Sequence, residues 1–213
     1  MNRVTFLRLV LILTLVLAAC SGKQAGPARL QEVSFRVDTG LVAQRHADTA
    51  LGFSFCSPKD WVLLSQELLE EAERRTARSL PTSPNARPGA VPHIICGWSD
   101  PATASVLLVS EFTGFDTRDS SSTLRGFEEY YTRSAPSADV RAAVFVSKGL
   151  KIHQLMVSDT KNVLFKMVFS SAGLRKPVQF DFAVPQAAYP QVVKTIESVA
   201  GSVAVDSTIT PPN

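Results

Sequence analysis

Two hydrophobic spacings alternate along the chain, and together they sketch an architecture. Over 163–169 the odd positions Val163, Phe165, Met167 and Phe169 are apolar, and over 178–184 the even positions Val178, Phe180, Phe182 and Val184 are. A two-residue period is that of a strand with one face against a core. Val33, Phe35 and Val37 alternate in the same way over 31–38, and strands are also predicted over 91–98, 104–112, 140–147 and 150–157. Phe53 and Phe55 share a strand face before Pro58 stops the ladder. Lys148-Gly149 and 159–162 are of hairpin length, and Asp100-Pro101 marks another turn. Strands joined this way pair antiparallel.

Three segments carry the helical period instead. Over 66–79, Ser65 is placed as N-cap, and Glu67, Glu70 and Glu71 precede Arg74, Arg75 and Arg78, which complements the helix dipole. Its apolar stripe of Leu68, Leu69 and Ala72 is thin. Leu124, Phe127 and Tyr131 mark one face of a helix that starts at Ser120–Ser122 and runs to 134. Tyr189, Val192, Val193, Ile196 and Val199 face inward on a helix over 186–200, with Gly201 as its stop. Residues 39–48 read as loop, and the four prolines of 80–92 exclude long regular structure there. The fold class that follows is α+β, an antiparallel β-sheet sandwiched by helices.

The N-terminus changes the picture most. Arg3 and Arg8 precede an apolar run from Leu9 to Leu17, followed by Ala18, Ala19 and Cys20. A short basic-then-apolar segment ending in small residues is the grammar of a secretory signal. Leu17-Ala18-Ala19-Cys20 resembles the bacterial lipobox. The resemblance implies that Leu17, Ala18 and Ala19 are read by the lipoprotein signal peptidase, and that Cys20 carries the lipid. A membrane span would need about 20 apolar residues, and Arg8 interrupts the run too early. The expected organisation is a signal peptide at 1–19, a lipidated N-terminus and linker at 20–30, one domain at 31–203 and a flexible tail at 204–213. Ser21, where an Asp would favour inner-membrane retention, points to an outer-membrane address facing the periplasm.

The net charge of +3 shrinks once the leader is set aside, because Arg3 and Arg8 go with it and 20 basic residues remain against 19 acidic ones. No basic patch of the kind phosphate neutralisation requires is present, so nucleic acid is excluded as a partner. The apolar content of 45% is that of a chain with a real core.

Gly52-Phe53-Ser54-Phe55 followed by Pro58-Lys59-Asp60-Trp61 resembles the opening motif of the PsbP-like superfamily. That group includes the extrinsic protein of photosystem II, the Mog proteins and envelope lipoproteins of the DcrB and LpqN types. The strand meander and the closing helix with Ile196-Glu197-Ser198 fit the same pattern, over roughly 51–203. The resemblance implies a PsbP/Mog-like α/β/α sandwich, usually without catalysis. It carries no site residue across.

Candidate chemistry is sparse. Cys56 and Cys96, the pair left beside Cys20, read as a candidate disulfide in an oxidising compartment. His46, His93 and His153 are scattered and do not make a metal set with the cysteines. Ser158-Asp159-Thr160-Lys161 matches S-x-x-K, yet falls in a hairpin turn and lacks its partner motifs. No catalytic residue, cofactor or metal is assigned. The expectation is a non-enzymatic, lipid-anchored envelope protein that binds a partner protein or supports assembly of an envelope complex. The alternative is a lipoprotein binding a small hydrophobic or cell-wall ligand in a pocket against the sheet. An enzyme with an unrecognised site ranks behind both.

Overall fold

In the computed structural model the described residues are 30–79, 93–112 and 120–205. The expectations for 1–29, including the signal peptide and Cys20, and for 206–213 lie outside them.

Eight strands form the main sheet: β1 (Gln31–Glu32), β4 (Val62–Leu63), β5 (His93–Asp100), β6 (Ser105–Glu111), β7 (Asp139–Ser147), β8 (Leu150–Ser158), β9 (Asn162–Ser170) and β10 (Val178–Pro185). Their order is β1-β7-β8-β9-β10-β6-β5-β4. Only β1, against β7, is parallel. A second sheet orders as β11 (Ala204–Val205), β3 (Phe53–Pro58) and β2 (Val42–Asp48). The helices are α1 (Gln66–Ser79), α2 (Ser120–Ser134) and α3 (Tyr189–Ser202). The class is therefore α+β, with most of the mass in sheet.

The period-2 faces decide which side is core. Phe180 pairs with Met167 and Phe182 with Phe165, and all four are nearly inaccessible to solvent. Phe180 is the hub, with ring centroids 5.0 Å from Phe55, 5.0 Å from Phe169 and 6.4 Å from Phe53. Phe55 in turn meets the edge of Trp98 at 5.6 Å. The small sheet and α3 share this face, where Tyr189 stacks on Phe165. The opposite face of the main sheet meets α2, which packs on β7 and β8 and reaches Lys166 of β9 through Phe127. One outer layer is thus a helix plus a three-stranded sheet, where helices alone were expected.

Four local expectations are corrected. Residues 39–48 are not loop: Val42–Asp48 is β2, and it pairs with β3 through a bulge between Val42 and Arg45 that breaks the alternation. Only two residues of 31–38 pair as strand, although Phe35 still packs on Phe145 at 5.7 Å. β11 lies within the segment expected to be tail. Gly201 does not end α3, because it is inside the last turn at a close approach. A Cβ there would sit 2.6 Å from Phe35 Cβ. The hairpin at Lys148-Gly149 does form, both residues having positive φ (49° and 78°). Lys148 Nζ then donates to the Gly201 carbonyl at 2.7 Å.

Truncating the hub tests this packing. Phe180→Ala is expected to lower the unfolding free energy by about 4 kcal/mol, whereas Leu68→Ala, on an exposed side chain, is expected to change it by less than about 0.5 kcal/mol. Urea titration of both variants measures the difference.

Candidate functional site

Leu17, Ala18, Ala19 and Cys20 lie outside the described residues. Cys56 and Cys96 are described, and both are free thiols. The expected disulfide is absent, and strand geometry explains it. Phe53 and Phe55 take the inward positions of β3, so Cys56 falls on the alternate face while Phe55 meets Trp98 of β5. Burial, with the Asp48 charge second, pushes the Cys96 thiol up to about 12. It is a half-buried thiol, kept in its protonated form.

The histidines do not converge. His93 Nδ1 faces Glu73 Oε1 at 3.1 Å, and the same oxygen accepts from the Ile94 N–H at 2.5 Å, which docks α1 on β5. His46 stacks on Phe55 at 5.8 Å and meets Trp98 edge to face at 5.0 Å. His153 is buried on β8. Among the described residues no three His, Cys, Asp or Glu side chains are grouped to hold a metal. In the S-x-x-K segment Asp159 Oδ1 accepts from the N–H groups of Lys161 and Asn162, both at 2.7 Å. These bonds hold its carboxyl below the usual range. The segment builds a turn.

Sequence reading missed a polar cluster between α2 and the main sheet. Gln179 and Asp181 alternate with Phe180 and Phe182, and Lys166 with Phe165 and Met167, so they read as a solvated face. Instead Lys166 Nζ pairs with Asp181 Oδ1 at 2.6 Å, with only 12% and 22% of the two side chains exposed. Gln179 Nε2 donates to Asp181 Oδ2 at 2.5 Å, and Gln179 Oε1 is buried with no hydrogen-bond partner among the described residues. Phe127 of α2 lies over the ammonium, 5.6 Å from ring centroid to Nζ. Burial, then Asp181 and Tyr130, push the Tyr131 hydroxyl up to about 12. Burial, then Lys151, lower His153 to about 4. At neutral pH the phenol is protonated and the imidazole neutral, so neither is poised for proton transfer. The cluster fastens a helix. Among the described residues an open depression of about 520 Å³ on α2 is lined by Glu128, Glu129, Thr132 and Arg133.

No family model matches the chain, and no curated protein matches it. Solved structures do, among them the solution structure of cyanobacterial PsbP (CyanoP) from Synechocystis sp. PCC 6803. It is 18% identical, the match covers 78% of this chain and 93% of that one, and the TM-score is 0.49. A likeness at this level carries no site or partner across.

Two outcomes test the cluster. The folded pKa of His153 lies below the 6.5 of an unfolded histidine, so the unfolded chain takes up the proton first as pH falls. The stability contribution is complete above pH 6.5 and is lost toward pH 4, by up to roughly 3 kcal/mol. Denaturation midpoints measured at pH 7 and pH 5 should fall for the parent chain and fall less for His153→Leu. Lys166→Met is expected to cost about 2 kcal/mol by stranding Asp181. Adding Asp181→Leu should recover most of it, as read from a double-mutant cycle in urea.

Proposed function

We propose that the chain is a lipid-anchored, non-catalytic envelope lipoprotein that binds a partner protein or supports assembly of an envelope complex. The observation that carries this reading is Leu17-Ala18-Ala19-Cys20, placed directly after an apolar run with Arg3 and Arg8 before it. One acyl chain holds a protein to a bilayer only marginally, at about 0.8 kcal/mol per buried methylene. The two chains of a diacylglyceryl thioether at Cys20 would make the attachment effectively permanent. Ser21 favours the outer membrane, facing the periplasm, over the inner one. The Gly52–Trp61 motif supports a PsbP/Mog-like domain on this anchor, a domain type usually without catalysis.

Mass spectrometry of the full-length gene product, purified from bacterial membranes, tests the anchor. The expected N-terminal peptide begins at Cys20 and carries the mass of a diacylglyceryl group. An unmodified peptide still starting at Met1 sinks the proposal. Cys20→Ala should move the protein out of the detergent-extracted membrane fraction or leave its leader uncleaved.

A further inference from the structure

The described part of the main sheet ends on one side in a long strand that is mostly open. β7 runs nine residues, but β1 lies beside it only at Phe145 and Val146. Among the described residues no strand covers the outer edge from Asp139 to Val144. The Val146 carbonyl accepts from the Val33 N–H at 2.8 Å, which fixes the outward parity of the strand. By the alternation of an antiparallel ladder, Val140, Ala142 and Val144 also direct their backbone N–H and C=O groups away from β8. Arg141, Ala142 and Ala143 are exposed, and Val140 and Val144 half-buried. Small and β-branched residues of this kind leave the edge flat enough to accept another strand.

Edge strands are usually protected by charge, because like charges repel a second copy. The two charges here do the reverse. Asp139 and Arg141 lie two positions apart on one face, paired with each other at 2.6 Å, with side chains 52% and 70% exposed. We propose that β7 is a self-association edge, and that its partner is the β7 strand of a second copy of this chain, antiparallel about a two-fold axis at Val140. That register places Asp139 opposite the second copy's Arg141 and Arg141 opposite its Asp139. Both are non-hydrogen-bonded pairs, the kind in which side chains approach most closely. Val140 faces its own equivalent as a hydrogen-bonded pair and exchanges two N–H···O=C bonds with it. The ion pair already present within each copy re-forms across the axis, with little new desolvation. The turn before β7, closed by the Ala138 N–H on the Ala135 carbonyl at 2.9 Å, limits the regular ladder to Asp139–Arg141 of each copy. The contact is therefore short, and its specificity comes from charge order. A contact this short rests on the membrane confinement proposed for Cys20, while its register is set by Asp139 and Arg141 alone.

Cross-linking of the full chain in the membranes of its expression host tests the register. Val140→Cys with a short thiol-to-thiol reagent should give a covalent dimer, while the parent chain, with its native cysteines in place, should give none. Asp139→Arg added to Val140→Cys sets arginines against one another and should lower the dimer fraction about tenfold. Adding Arg141→Asp as well restores opposite charges at both positions and should restore the dimer. Absence of the Val140→Cys dimer, capture of a different protein in its place, survival of the dimer in the single reversal, or failure of the double reversal to restore it would each overturn the proposal.

Discussion

The contact of Phe180 with Phe55 holds the two sheets together, and the rest of the domain is arranged around it. Neither sheet could be buried alone. The three strands of the small sheet have no core of their own, and the inner face of β8–β10 is a continuous row of large apolar side chains. Aromatic rings meeting edge to face at 5.0 Å contribute roughly 0.5–1.5 kcal/mol beyond the area they bury. Phe180 makes such contacts with Phe55 and Phe169 and a longer one with Phe53. Closing this cluster brings β3 under the sheet, and β3 carries β2 and β11 with it.

Helix α3 completes the layer by means that are partly polar. Two of its buried residues are serines that serve as acceptors for distant backbone. Ser198 Oγ takes the N–H of Asp38 at 3.1 Å, and Ser202 Oγ takes that of Cys56 at 2.8 Å. Both N–H groups belong to segments that reach the helix only after long excursions of the chain. An unpaired buried N–H costs about as much as a lost hydrogen bond, so the serines do what a longer aliphatic side chain there could not. Gly201 has the complementary role: its missing Cβ lets Phe35 and Val37 close over the helix end.

This contrast explains how much was legible in the sequence. Val163–Phe169 and Val178–Val184 announced themselves because they are buried by one face, and a single face imposes a strict period. α1 announced itself through its order of charges. β2 did not, because Gln44 and Arg45 at its bulge interrupt any alternation, and its burial depends on β3 sixteen or fewer residues away. The cluster of Lys166, Gln179 and Asp181 was hidden for a different reason. Alternation reports that two faces differ, and not that the second is open to water. A charged residue opposite a phenylalanine reads as solvated whether or not a helix later covers it. Cys56 and Cys96 illustrate the same limit, since their number suggested a bond and only the facing of β3 decided against it.

Confinement bears on the open edge of β7. A stable contact between freely diffusing proteins generally buries about 1,200–2,000 Å², far more than a three-residue ladder can supply. An anchor of the kind proposed for Cys20 alters that comparison. Holding copies in one membrane turns association into a two-dimensional encounter, and an effective concentration raised in this way strengthens binding by orders of magnitude without any new contact. Under those conditions a short contact is sufficient if its charge order excludes wrong registers. Shifting one β7 along the other by two residues sets Arg141 against the second copy's Arg141, or Asp139 against its Asp139, so that like charges meet. The energy that a small interface lacks in area is then supplied by the membrane, and the choice of partner by Asp139 and Arg141.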